Sequence, residues 1–300
     1  MAEPNEQENF DAPVAYDPAL FLQQFTETFR GSPKYNAGAS HRALGLLRMI
    51  ERDPGITDVR WAAYMLATTM WETTSPANVQ VQATNKKGAL ILDKSGKATT
   101  VTKRKWVFTM APVAEVGKGA GRRYHEPVKI KLLSDGCVRI TEHDGDQFKI
   151  KPNGSFVLLT KGAKQGATDG AAVAAAYLKD DGIEQVYYGR GYVQLTWWSN
   201  YAKAGASIGL GYQLLLDPDM VKRPEVAYML MSYGMVTGKI FANGHTFDDY
   251  LYDGVSNYEG ARRMVNGRDH AADIAAIARK IEKVLLKSRA MQSEMQRGLP

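Results

Sequence analysis

The chain has a single cysteine, Cys137, which excludes an internal disulfide and any scaffold stapled by disulfides. It also lacks an apolar run near the roughly 18 residues that a membrane-spanning helix requires. Its five histidines (His41, His125, His143, His245 and His270) are scattered and no Cys/His cluster has zinc spacing, so neither a metal nor a cofactor is expected. The first sixteen residues are acidic and polar, without the basic start, apolar stretch and small-residue cleavage site of a secretory signal, so synthesis in the cytoplasm is expected. No internal repeat is visible, and the glycine-rich Gly117-Lys-Gly-Ala-Gly121 matches neither phosphate-cradling fingerprint and follows no convincing βα unit.

What is present is an ordinary globular composition: 300 residues, 44% hydrophobic and 23% charged. A chain of this length buries most of its apolar surface without external staples. The formal charge of +6 favours a polyanion such as nucleic acid, anionic glycan or lipid headgroups. The basic residues are mostly dispersed, with short runs at Lys103-Arg104-Lys105, Arg122-Arg123 and Arg262-Arg263 that carry no nucleic-acid motif, so a nucleic-acid partner is not expected. A monomer is the default.

The pattern predicts an α+β, mainly α-helical fold. Asp17 and Pro18 open a first helix bearing Leu20, Phe21, Phe25 and Phe29, and Gly31-Ser32-Pro33 close it. A second helix is expected from Ser40 to Asp53-Pro54-Gly55. A third starts at Thr57-Asp58 and carries Trp61, Tyr64, Met65 and Thr68 on one stripe, widened by Leu66, Met70 and Trp71, before Glu72-Thr-Thr-Ser-Pro76 disfavours continuation. Strand character follows, with a hairpin expected from 89–93 to 98–102 and a four-stranded meander over 128–132, 137–141, 147–151 and 155–159, separated by glycine-containing turns. Residues 161–176 read as a connection, or as a weak helix around 171–178. Helices return near 200–208, 224–237 and 258–265, and a last one runs from a cap at Asp269 to about Lys287 through Ile274, Ile277, Ile281 and Leu285.

Two carboxylates invite attention. Glu72 ends a buried, aromatic-rich helix, where desolvation raises a carboxyl pKa toward that of a general acid, although position alone favours a solvated helix-end glutamate. Glu115 sits in Pro112-Val-Ala-Glu-Val-Gly-Lys-Gly-Ala-Gly121, a loop supple enough to carry it over a cleft, though alone it is an unremarkable loop acid. The densest signal is Tyr187-Tyr-Gly-Arg-Gly-Tyr-Val-Gln-Leu-Thr-Trp-Trp-Ser-Asn-Tyr201. Aromatic faces stack on pyranose rings while amides and hydroxyls pair with sugar hydroxyls, so this mixture suits a glycan.

This segment resembles the signature of glycoside hydrolase family 19, the chitinase-type, lysozyme-like enzymes. Trp71-Glu-Thr-Thr74, Asp217-Pro-Asp219 and Arg263-Met-Val-Asn-Gly267 resemble further landmarks of that family, in the right order. Residues 60–72 and the loop around Glu115 most resemble the bacteriophage and prophage endolysin branch. The resemblance implies a lysozyme-like helical catalytic domain over about 56–287, preceded by a helical segment at 1–55, followed by a polar tail at 288–300, and interrupted by insertions at about 77–110 and 125–185, the second β-rich. It implies Glu72 as general acid, Glu115 as general base and Thr196 as the hydroxyl that helps hold the attacking water. It places Arg190, Gln194, Asn200 and Asn266 in substrate binding; each has a structural alternative as a loop brace, satisfied amide or helix cap.

The sequence departs from the family at Trp71, where histidine is usual, and after Asn266, which runs into Gly267-Arg-Asp269. No equivalent is found for the arginine that plant members carry near the C-terminal helix. The expected function is inverting hydrolysis of β-1,4 bonds in the peptidoglycan strand, by an endolysin reaching the wall through a holin or as part of a virion. A chitinase on poly-N-acetylglucosamine is the alternative of the same class, and a non-catalytic wall-binding or tail-structural protein the alternative of another.

Overall fold

The computed structural model describes residues 15–162 and 173–289. Helix α1 (Pro18–Phe29) is capped by the Asp17 carboxylate, which accepts from the Ala19 and Leu20 amides, and its Phe21, Phe25 and Phe29 are buried. Helix α2 (Ala37–Glu51) starts three residues before the expected Ser40, because Asn36 supplies the cap. Helix α3 (Val59–Glu72) is capped by Asp58 and buries every residue from Ala62 to Met70. That coverage exceeds the stripe expected from the sequence, and the alanines at 62, 63 and 67 let neighbouring elements approach closely.

At the end of α3 the chain turns directly into strand β1 (Thr74–Gln82), which pairs antiparallel with β2 (Thr100–Phe108) from Thr74↔Phe108 to Gln82↔Thr100. The expected hairpin at 89–102 is therefore corrected. Only its inner part is present, residues 91–93 facing 97–99 through the bridge Leu92↔Ala98 at the tip of a much longer arm, while Thr100–Thr102 belong to β2 and pair with β1. Proline at 76 and the alternation of valine with amides masked β1 in the sequence. The strand tolerates Pro76 because the two-stranded arm leaves both its edges open.

A short β3 (Val113–Ala114) leads past Glu115 into the β-lobe. Strands β4 (Val128–Leu132), β5 (Val138–Thr141), β6 (Gln147–Ile150) and β7 (Phe156–Thr160) match the expected meander within a residue at each end. After α4 (Ala175–Lys179), a fifth strand, β8 (Ile183–Gln185), completes an antiparallel sheet of order β7-β6-β5-β4-β8. The predicted connection at 161–176 lies mostly outside the described residues. Strand β8 was not anticipated: three residues, Ile-Glu-Gln, are too few to show an alternation.

Strand β9 (Arg190–Gly191) returns to pair with β3, Val113 opposite Gly191 and Ala114 opposite Arg190. Helices α5 (Trp198–Ser207) and α6 (Gln213–Leu216) pack against the β-lobe in one apolar cluster with Val128, Ile130, Val138, Ile140 and Ile150. A second and larger cluster joins α1, α2 and α3 to α7 (Pro224–Thr237) and α10 (Ala271–Lys287), with α10 lying along α3. The segment expected to be one helix near 258–265 is two short pieces, α8 (Tyr258–Ala261) and α9 (Arg263–Asn266). Asp269 does not cap α10; His270 takes that position in a left-handed conformation at φ 55°. The Asp269 carbonyl is instead engaged by the Arg262 guanidinium at 2.8 Å. No helix among the described residues is long and apolar enough to cross a membrane.

Candidate active site

Glu72 is the last residue of α3, and the chain beyond it is tied down. The Thr73 hydroxyl donates to the Thr69 carbonyl at 2.7 Å and accepts from the Met110 amide, while the Thr109 hydroxyl donates to the Thr73 carbonyl at 2.8 Å. These bonds fix the helix end against the segment after β2, so the Glu72 carboxyl projects from a rigid base. Its oxygen Oε1 lies 2.5 Å from Nη1 of Arg262, whose side chain is 2% exposed. Burial pushes the Glu72 carboxyl above its ordinary range, against the opposing pull of Arg262 and with a smaller push from Asp269.

Glu115 follows β3. Its amide donates to the Gly189 carbonyl at 2.7 Å, and its Oε2 accepts in return from the Gly189 amide at 3.1 Å. Oε1 accepts from the Tyr124 hydroxyl at 2.9 Å. Donors on both oxygens orient the carboxylate. Glycine eases the close approach of position 189, where a Cβ would lie 2.9 Å from Oε1 of Gln194 and 3.3 Å from Oε2 of Glu115 and would displace those side-chain ends. Gly119 is more constrained still: at φ +73° a Cβ would meet the Tyr124 ring at 2.4 Å. Gly119→Ala is therefore expected to push Tyr124 off Glu115 and lower turnover by about 10- to 100-fold, the scale of losing one orienting contact. Steady-state kinetics beside a thermal melt would check it, and unchanged turnover in the folded variant would show that Tyr124 is idle.

Both carboxylates line one cleft of about 560 Å³, together with Thr74, Trp106, Arg122, Tyr124, Gly189, Gln194, Thr196 and Asn266. The structure thus brings Glu72, Glu115, Thr196, Gln194 and Asn266 together. Gln194 donates to the carbonyls of Gly191 and Val113 at 3.0 and 3.2 Å, which ties it to both strands of the β3–β9 pair. Two expected sugar contacts stand outside this lining. Arg190 is buried behind it, donating to Asp219 at 2.8 Å, to the carbonyls of Val186 and Tyr188 at 3.1 Å, and stacking 3.5 Å above the Tyr188 ring. It braces the loop, and through Asp219 it fastens the aromatic segment to the Asp217-Pro-Asp219 landmark. Asn200 sits in the first turn of α5, half-buried and off the cleft wall.

Residues 142–236 match the family described as "Chitinase class I", glycoside hydrolase family 19. This segment belongs to glycoside hydrolase family 19. The family 19 segment holds Arg190, Gln194, Thr196 and Asn200; Glu72 and Glu115 lie before it. An endochitinase of Arabidopsis thaliana is 58% identical over 43 residues, 14% of this chain and 14% of its own. The acidic 26 kDa endochitinase of Solanum lycopersicum is 57% identical over 35 residues, 12% of this chain and 14% of its own. The acidic endochitinase pcht28 of Solanum chilense is 40% identical over 62 residues, 21% of this chain and 23% of its own. The chain therefore spans less than a quarter of the length of these relatives. No solved structure matches it significantly.

Several residues in or beside the cleft were not anticipated from the sequence. In the sequence Arg262 is only half of a basic pair; in the structure it supplies the cation beside Glu72. The distance of 190 residues between the two hides the pairing, and the sequence offers only the pair Arg262-Arg263 ahead of the Met-Val-Asn-Gly run. Trp106, 53% exposed on β2, and Tyr124 were also passed over. Trp71, in the place of the usual histidine, packs its ring 4.7 Å from that of His270 and lies under Lys34. A grouping of Glu142, Asp144 and Asp146 brings three carboxylates within 4.8 Å of one another in a turn of the β-lobe. It is outside the catalytic cleft lining, and Glu142 is already engaged by the Trp198 indole at 2.6 Å.

Proposed function

We propose that the protein is an inverting glycoside hydrolase acting on β-1,4-linked polymers of N-acetylated amino sugars. The observation that carries this reading is the pairing, in one cleft, of two carboxyls in different settings. The Glu72 side chain is 15% exposed and burial raises its pKa; Glu115, also partly buried, has both oxygens oriented by donors. In the mechanism, protonated Glu72 gives its proton to the leaving glycosidic oxygen as the bond to the anomeric carbon breaks. Glu115 takes a proton from a water that attacks the opposite face of the sugar, and Thr196 helps to hold that water. Such a mechanism needs a carboxyl separation of about 6.5–9.5 Å in the productive complex. Trp106 offers the ring face, and Gln194 and Asn266 the amides, that a pyranose substrate requires.

The peptidoglycan strand is the substrate favoured by the resemblance of residues 60–72 and 112–121 to the endolysin branch, with the protein reaching the wall after synthesis in the cytoplasm. Chitin is favoured by the printed names of the relatives, all of them endochitinases. Incubation with purified peptidoglycan and with chitin oligomers, followed by mass spectrometry of the new reducing ends, separates the two. Muramic-acid or glucosamine ends from peptidoglycan are expected, and the first product formed carries the α-anomer by NMR. Products from chitin alone would move the assignment to a chitinase, and a β-anomer would refute inversion.

A further inference from the structure

The arm formed by β1, β2 and the tip between them carries a charge out of proportion to its length. Residues 74–108 contain seven basic side chains against Asp93 alone, a balance of +6 that equals the net charge of the whole chain. Lys86, Lys87, Lys94 and Lys97 flank the tip, and Lys103-Arg104-Lys105 follow on β2. The single acid is occupied: Asp93 accepts from the amides of Ser95 and Lys97 and from the Ser95 hydroxyl, and these bonds hold its carboxyl below its usual range.

The tip itself is apolar and ordered. The Ile91 amide donates to the Ala83 carbonyl and the Thr99 amide to the Ile91 carbonyl, both at 2.8 Å, so residues 89–93 run between two neighbouring segments. Alternate residues of such a strand point to opposite faces. Yet Leu90, Ile91 and Leu92 are 47, 43 and 55% exposed, so neither face is covered. Three consecutive exposed aliphatic residues flanked on both sides by exposed lysines are unusual on a soluble surface.

We propose that this arm docks on an anionic lipid bilayer, with Leu90, Ile91 and Leu92 entering the headgroup–acyl boundary while the surrounding lysines meet the lipid phosphates. Charge complementarity selects an anionic surface, and the aliphatic triplet selects lipid over a polymer, because a teichoic acid or nucleic acid offers no hydrocarbon to receive it. The base of the same arm supplies Thr74 and Trp106 to the cleft, so docking would hold the cleft beside the membrane. The proposal is independent of the hydrolase reading, and its test is blind to catalysis.

The full-length protein is sedimented with vesicles of phosphatidylglycerol and phosphatidylcholine, and with vesicles of phosphatidylcholine alone, at about 0.1 M salt, where charges interact over roughly 10 Å. Binding to the anionic vesicles only is expected. The triple variant Leu90→Ser, Ile91→Ser, Leu92→Ser should lose at least tenfold in partitioning, and Lys86→Gln with Lys87→Gln, Lys94→Gln and Lys97→Gln should lose it comparably. All altered side chains are exposed, so matched melting curves establish that the variants fold. Failure of the wild type to sediment, or a triple serine variant that binds as well as wild type, overturns the proposal. So does retention on DNA or purified wall polymer, unaffected by the serines and without vesicle binding, which would make the arm a polyanion site.

Discussion

Glu72→Gln is expected to abolish glycan cleavage, by about 10²- to 10⁴-fold or more in kcat, while the protein still folds and still binds its substrate. The amide preserves the volume of the side chain and leaves an oxygen for Arg262, but it has no proton to give to a leaving oxygen. The effect belongs in kcat because the proton moves only as the bond breaks. The wild-type pH profile provides a second reading. Cleavage requires Glu72 protonated, so activity falls as pH rises through the raised Glu72 pKa, and the alkaline limb should lie above the range of a free glutamate. In Glu72→Gln that limb should vanish from any residual activity. A variant that releases soluble fragments at the wild-type rate would remove Glu72 from the mechanism.

The same substitution has a consequence for stability. A carboxyl whose folded pKa is raised contributes stability that is fully present below its unfolded pKa and is lost as pH rises through the folded one. Above that window Glu72 sits charged in a desolvated place, held chiefly by Arg262. The loss of stability with rising pH should therefore be shallower in Glu72→Gln than in the wild type, as measured by chemical denaturation at several pH values.

Local signals in the sequence carried much of the fold. Capping residues such as Asp17 and Asp58 and the glycine turns of the meander act within a few positions, so α1, α3 and β4 to β7 could be placed within a residue or two. The arm could not, because β1 mixes proline, valine and amides and gains its strand geometry only from pairing with a segment 18 to 34 residues away. The site divides the same way. Glu72 and Glu115 were visible through the company they keep in the sequence, and the cleft contains both. Arg190, which the family resemblance implies in substrate binding, lies outside the cleft lining: a cage of carbonyls and an ion pair to Asp219 draw it inward, and a charged residue inside an aromatic signature does not announce that. The role of Arg262 is not legible in the sequence because its partners, the Glu72 carboxylate and the Asp269 carbonyl, are not related to it by sequence spacing.

Arg262→Met, behind the cleft wall, should have the largest effect on stability of any single change around Glu72. Arg262 is 1% exposed and bridges Glu72 to the chain entering α10, so it couples the end of α3 to the start of the last helix. Methionine fills comparable volume and leaves the Glu72 carboxylate without its cation. Breaking one side of a buried pair typically costs about 3–5 kcal/mol, most of it the penalty on the charge left behind. That penalty disappears when the orphan is neutral. The deficit relative to wild type should be largest at pH 8 and shrink toward pH 4, as Glu72 takes up a proton in the variant. The catalytic profile should move in the same sense: without the cation, the Glu72 pKa rises further, so the alkaline limb shifts upward among the molecules that remain folded. A deficit independent of pH would mean that Arg262 acts by packing alone. A limb that stays in place would show that Glu72 does not feel its charge during turnover.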